Sequence, residues 1–314
     1  MTAMEPILSQ ENAPAADFRK SVDMRLAIGG GILLLLFVAC VGSLPWTLNS
    51  HSNFYYDHQG ADSLQAPSGA ALWTVMGTSK LGQSMLGECL FGGVISLMIG
   101  LSAAALSVFL GVGIGLLAGY RGGWVDALLM RTCDILYALP YILLVILFKL
   151  ALEKRLNGLF GSDMAANLIV LFLAIGLVSW PPMARVIRGQ VLSLRTLPFV
   201  EAARAAGVPQ GRIFTRHLLP NLVGPIVVYA TLTVPQAILQ ESFLSFLGIG
   251  IQKPLPTWGS LASDGLTLAL NPIASCWWLL VFPCTLLGVT LLALNFVGDG
   301  LRDAWDPRRN SKMI

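Results

Sequence analysis

Charge is what this 314-residue chain has least of: Asp, Glu, Lys and Arg together make up 12% of it, against about 25% in soluble domains. A large soluble protein with an unusually apolar core is the bland explanation. It fails because the apolar residues fall in uncharged runs of about 20 residues or more, the length that crosses a hydrocarbon core. The mean hydropathy of +0.71 agrees. The chain is therefore expected to be an all-α integral membrane protein.

Chemical signatures are scarce too. Cys40, Cys89, Cys133, Cys276 and Cys284 are scattered, four of them within apolar runs, and none forms a CxxC pair. That excludes a disulfide framework and a zinc site of the usual spacing. His51 and His58 lie in a polar loop and His217 stands apart, so no metal cluster is indicated. No GxxxxGK[ST], GxSxG, HExxH or GxGxxG sequence occurs, and the near miss Gly113-Ile114-Gly115 lies inside an apolar run. Paired intramembrane carboxylates and regularly spaced span arginines, the marks of proton relays and voltage sensors, are missing. What is left is a conduit without its own energy source and without a cofactor.

Six apolar segments are present: Ile28–Leu48, Cys89–Gly119, Trp124–Phe148, Met164–Ala184, His217–Gln240 and Ile273–Val297. The first reads as a signal anchor, since 21 apolar residues exceed an ordinary signal-peptide core. The second is uncharged for 31 residues, about 46 Å of helix, so it must tilt or protrude. The third is interrupted by Asp126, Arg131, Asp134 and Pro140; Arg131 and Asp134, three apart, are expected to pair with each other. Glu241 falls at the end of the fifth and is expected near the outer surface. With both termini in the cytoplasm, only Lys80, Lys149, Lys154, Arg155 and Lys253 of the 20 basic residues lie outside, which fixes the orientation by the positive-inside rule. The chain then divides into a cytoplasmic tail (1–25), a first span (26–48), an extracytoplasmic loop (49–87), a five-helix core (88–301) with a cytoplasmic loop at 185–220, and a second cytoplasmic tail (302–314).

Two features go beyond hydropathy. Ala103, Ser107, Gly111, Gly115 and Gly119 recur every four residues, a small-residue stripe of the kind that lets helices pack closely in lipid. Its partner is either a helix of the same chain or a pore and second membrane subunit. In the basic loop, Pro198 suits the first position of a helix and Glu201 its first turn. Ala202, Ala203, Ala205 and Ala206 favour the helix, and Gly207 and Pro209 end it. So short a helix needs a surface to lie against. Headgroup binding explains Arg204, Arg212 and Arg216 but not this design.

At this loop the sequence resembles a family. Glu201-Ala202-Ala203, three residues, Gly207, nine residues, then His217-Leu218-Leu219-Pro220 is similar to the EAA loop of ABC-importer permeases, in the form found in the dipeptide, oligopeptide and nickel subfamily. Glu241 to Gly250 with Pro254, Pro256, Trp258 and Gly259 resembles its fifth-span end. Asn295, Gly298 to Asp303, Asp306 and Pro307 resemble its closing motif, and Tyr120 to Gly123 its turn after the second span. Coverage runs from about Gly77 to Pro307. One departure stands out: Gly77-Thr78-Ser79-Lys80-Leu81-Gly82-Gln83-Ser84 replaces Gly-Thr-Asp-x-x-Gly-Arg-Asp.

The resemblance implies six helices of the type I importer fold, in a bacterial inner membrane. It implies four kinds of partner: the bilayer, a second homologous permease, two cytoplasmic ATPases carrying ATP and Mg, and an extracytoplasmic binding protein, with no nucleic acid. Pro198, Glu201, Ala202, Ala203, Arg204, Gly207, Arg212, Arg216 and Pro220 would form the ATPase contact, with Gly224-Pro225 relaying movement, and peptides would be the cargo. The stretch Trp258–Leu270 is expected as a short helix lying at the outer surface, either a docking platform or simple loop packing. A self-sufficient secondary transporter and an assembly subunit without transport are the competing classes.

Overall fold

A computed structural model describes residues 13–60, 63–160, 163–251, 253–272 and 275–304. The anticipated tail residues 305–314, with Asp306, Pro307, Arg308, Arg309 and Lys312, lie outside them, as do residues 1–12 and Ile273. The described residues form twelve α-helices and no strand. They are α1 (Ala13–Gly42), α2 (Leu44–Thr47), α3 (Met85–Arg121), α4 (Gly123–Ala138), α5 (Tyr141–Phe160), α6 (Asp163–Ser179), α7 (Pro181–Leu194), α8 (Pro198–Ala205), α9 (Gln210–Ile213), α10 (Leu219–Phe246), α11 (Trp258–Ala269) and α12 (Trp278–Ala304).

Helix α3, 37 residues and about 55 Å long, is the axis of the bundle. Ser84 caps its start by accepting from the Gly87 amide at 3.3 Å, so it begins four residues before the apolar run. It packs against α6, α7 and α10, while α1 lies along α12. Among the described residues, four stretches are long and apolar enough to cross a membrane alone (Met24–Thr47, α3, α10 and α12), and up to six spans result if each of two bent helix pairs counts as one.

The bends correct the expected third and fourth spans. Trp124–Phe148 is not one helix: α4 and α5 meet at 103°. The cause is Pro140, whose ring excludes the α conformation from the preceding residue, and Leu139 is extended at ψ 144°. The charges that interrupted the run thus sit on α4, turned away from the apolar α5. The expected pairing of Arg131 with Asp134 does not form; Asp134 accepts instead from Arg185 on α7 at 2.7 Å, and Arg185 also lies over the Tyr137 ring. Asp126 holds Arg188 through both nitrogens of a bidentate pair, Nη2–Oδ2 being 2.6 Å. Two ion pairs therefore strap α4 to α7. The fourth span bends by 41° between α6 and α7 at Trp180-Pro181. Helix α7 runs on to Leu194, so residues 185–194 are helix and not loop.

The small-residue stripe packs within the chain. A methyl group at Gly115 would lie 2.5 Å from the Ala184 carbonyl oxygen, and one at Gly119 2.8 Å from the Val191 Cβ. Further along, Gly176 of α6 sits so close to α3 that a methyl there would be 3.0 Å from the Ala103 carbonyl oxygen. The stripe follows both halves of the bent partner, α6 and then α7, and this leaves its face filled.

Residues 49–60 and 63–83, without a hydrophobic pattern, are held together by backbone hydrogen bonds. The Gly60 amide donates to the Leu81 carbonyl at 3.1 Å, Leu64 to Ser79 at 3.1 Å and Thr78 to Gln65 at 3.0 Å. Tyr56 stacks on Phe91 of α3 at 4.5 Å. This folded cap closes the end of the bundle opposite α8.

Candidate functional site

At one end of the bundle α8 stands outside it. Pro198 occupies the first turn, after an extended Leu197. The last turn closes as a Schellman motif: the Val208 amide donates to the Ala203 carbonyl (3.1 Å) and the Gly207 amide to Arg204 (3.0 Å). Gly207 has φ +73°, the left-handed region that only glycine enters freely. One face is buried. Val200, with no exposed surface, packs with Ile213 and Leu218, flanked by Ala203, Val208, Leu194, Tyr120 and Phe214. The surface that this short helix requires is thus supplied by its own chain. The other face is open: Glu201, Ala202, Arg204 and Ala205 are exposed, as are Arg212, Arg216 and Pro220 beyond them. Among the described residues, the side chains of Glu201, Arg204, Arg212 and Arg216 make no hydrogen bond or ion pair.

The mounting is stiff. Arg195 reaches from the α7–α8 corner to the Gly119 carbonyl at 3.2 Å, a cation on the unsatisfied C-terminal carbonyls of α3. Tyr120 meets Phe214 edge-on at 5.9 Å. Between α9 and α10 the chain widens into a π turn, Phe214–Leu218, whose closing bond runs from the Leu219 amide to the Phe214 carbonyl. Pro220 has no N–H to give and would crowd the carbonyl four residues back, which accounts for the wider turn. Pro225 and Pro235 follow inside α10. A push on α8 meets a packed hinge leading straight into a span.

The opposite end is polar but closed. Glu241, at this end of its span, is fully buried within the protein; it accepts from Ser245 Oγ at 2.8 Å and Ser242 Oγ at 3.2 Å. The cover is α11, which packs one face against α3, α10 and α12 and leaves Asp264 and Thr267 exposed on the other. Its capping box joins Thr257 and Ser260. Trp258, fully buried, donates through its ring nitrogen to the Cys89 carbonyl at 2.9 Å and through its amide to Ser96 Oγ at 3.2 Å.

Sequence reading also missed two polar contacts inside the bundle. Lys149 of α5 is buried and donates to the Ile249 carbonyl and, at 3.0 Å, to that of Gly250, just past the end of α10. Tyr141, first residue after the α4–α5 break, donates to Gln240 Oε1 at 2.5 Å; Ser179, last residue before the α6–α7 bend, donates to the same oxygen at 3.2 Å. Both bends are thereby tied to α10.

These features define a multi-span helical membrane protein with one short helix displayed outside its bundle. The profile of the family described as "Binding-protein-dependent transport system inner membrane component" matches residues 111–311. The chain belongs to that family and is a permease component of the ABC-importer class. It is 42% identical to the oligopeptide transport system permease protein OppC of Escherichia coli over 92% of this chain and 89% of the relative. Identity to OppC of Haemophilus influenzae is 40% (90% and 85%) and to the dipeptide transport system permease protein DppC of Bacillus subtilis 38% (93% and 84%). A solved chain of the MetNI methionine ABC transporter is similar in fold, with a TM-score of 0.53 at 19% identity, covering 71% of this chain and 98% of that one.

Proposed function

We propose that this chain is one membrane-spanning half of an ATP-driven importer, that its cargo is short peptides, and that α8 is the grip by which a cytoplasmic ATPase moves it. The observation that carries this is the two-faced α8: Val200 is buried against the bundle while Glu201, Ala202, Arg204 and Ala205 face outward without partners. The small alanines permit close approach, and Glu201 with Arg204, Arg212 and Arg216 offers polar bonds to a partner surface. The contact then comprises Pro198, Glu201, Ala202, Arg204, Gly207, Arg212, Arg216 and Pro220, with Ala203 behind them on the packed face, and the π turn passes displacement into α10. Rigid tilting of the spans about a path shared with a second permease gives alternating access. ATP and Mg belong to the ATPases, and this chain performs no catalysis.

The excess of basic residues at the α8 end supports a cytoplasmic placement for it and for both termini. The α11 end then faces the binding protein. Peptide cargo is supported by the names of the relatives, oligopeptide and dipeptide permeases. The test is co-purification of the chain with its co-expressed ATPases. Glu201→Arg is expected to cut ATPase retention and peptide uptake at least tenfold while the permease stays folded. Unchanged retention and uptake would overturn the assignment of α8.

A further inference from the structure

At the end remote from α8, a cavity of about 310 Å³ opens between the 49–83 cap, the start of α3 and α11, near the low end of the range for small-ligand sites. Its mouth and floor differ. At the mouth, Lys253 and Asp264 pair at 2.8 Å with side chains 71% and 50% exposed, so their charges satisfy each other in water. On one wall Gln83 donates its amide to the Tyr56 carbonyl (3.2 Å) and Asp57 Oδ1 (3.4 Å). Deeper lies Glu88 of the first turn of α3, only 8% exposed, and among the described residues its Oε2 has no hydrogen-bond partner. Lys80 lines the adjoining recess. Three carboxyl groups (Asp57, Glu88, Asp264) therefore face two lysines, one of which is already engaged. A buried carboxyl oxygen left unsatisfied costs about 1–3 kcal/mol, and folded chains retain few of them. Glu88 thus brings to the cavity a carboxyl group for which the described residues supply no donor to Oε2.

We infer that this cavity binds an ammonium or guanidinium group on a short aliphatic stem, with the Glu88 carboxyl group, which lines the cavity, as its partner. A cation satisfies the carboxylate and offsets the acid excess; an anion reaching the floor would meet Glu88 directly. Resting on the importer reading above, the group has two sources of one chemistry: the amino terminus of the incoming peptide, or a basic side chain of the delivering protein.

The assembled transporter in nanodiscs tests the cavity with n-butylammonium as probe and butan-1-ol as its neutral counterpart, following thermal unfolding. Saturable protection by butylammonium and not by butanol is expected in the wild type, with apparent affinity falling about tenfold in Glu88→Gln. Glu88→Asp, which withdraws the carboxylate by one methylene, serves if Glu88→Gln fails to assemble; it should weaken protection without abolishing it. Equal responses to the two probes in the wild type overturn the site. ATPase stimulation then separates the sources. If Glu88→Gln abolishes a preference for tri-alanine over N-acetyl-tri-alanine, the cation is the peptide's. If it raises the half-maximal concentration of binding protein equally with both peptides, the cation is that protein's. No change with either peptide overturns the transport role of the cavity. Failure of any ATPase to associate would sink the α8 assignment instead, and the butylammonium measurement would still decide the cavity.

Discussion

The two ends of the bundle handle polar residues in opposite ways. At the α8 end, Glu201, Arg204, Arg212 and Arg216 stand in the open on a helix whose other face is tightly packed. At the α11 end, Glu241 is enclosed by serine hydroxyls and Trp258 is bonded on two sides. The first arrangement adds little to the chain's own stability and leaves groups available to another molecule. The second locks helices together and leaves, apart from the Glu88 cavity, little free. A membrane subunit moved by one partner needs a rigid remote end and a displayed near end, and substitutions at each should fail differently.

The largest expected effect is at the locked end. Trp258→Ala removes a fully buried indole that joins α11 to α3, and should lower stability by about 3–5 kcal/mol. Denaturant unfolding in detergent would measure it. A loss under about 1 kcal/mol would mean that α11 is not an integral wedge, and the contrast between the ends would fail. Next is the stripe between them. Gly115→Leu places a side chain against the Ala184 carbonyl, where even a methyl sits at 2.5 Å, and should cost about 1–3 kcal/mol. Because α7 leads into α8, this variant should also weaken ATPase retention, whereas Trp258→Ala should do so only through loss of folded protein.

The two straps between α4 and α7 sharpen the comparison further. Arg188–Asp126 is bidentate and more enclosed than Arg185–Asp134, whose side chains are 39% and 58% exposed. Arg188→Met is expected to destabilise by about 1–2 kcal/mol and Arg185→Met by about 0–1 kcal/mol. Double-mutant cycles with Asp126→Asn and Asp134→Asn measure each pair, and a larger coupling for Arg185–Asp134 would reverse the ranking.

Local features were the legible ones. Helix α8 could be read residue by residue because Pro198, Glu201, the alanines and Gly207 act within their own turns. Its buried face could not, since Val200 meets Ile213 and Leu218 only after the chain has turned back on itself. The same limit explains Asp134. Arg131 is its neighbour in sequence, yet α4 lies beside α7, and Arg185, 51 residues away, takes the contact. Counting helical rise placed Glu241 at the end of its span, but could not show that α11 folds back over it. The departure at Gln83 and Ser84 was visible as missing charge; the structure puts Gln83 on the wall of the Glu88 cavity, a juxtaposition across a loop that spacing does not encode.

The smallest expected stability effect belongs to the displayed end and carries the most functional weight. Ala202 is exposed on α8, with no packing to lose. Ala202→Trp adds bulk to solvent and should change unfolding stability by less than about 0.5 kcal/mol. If α8 seats in a cleft, the indole has no room there, and ATPase retention should fall at least as far as with Glu201→Arg. The pair of variants separates two causes, because Glu201→Arg removes a polar bond and Ala202→Trp removes only space. Loss with Glu201→Arg alone would describe a flat electrostatic contact, with α8 lying on the partner. Loss with both, at unchanged melting, requires a cleft that admits alanine and excludes indole, and that is the geometry through which a closing ATPase can pull on α10.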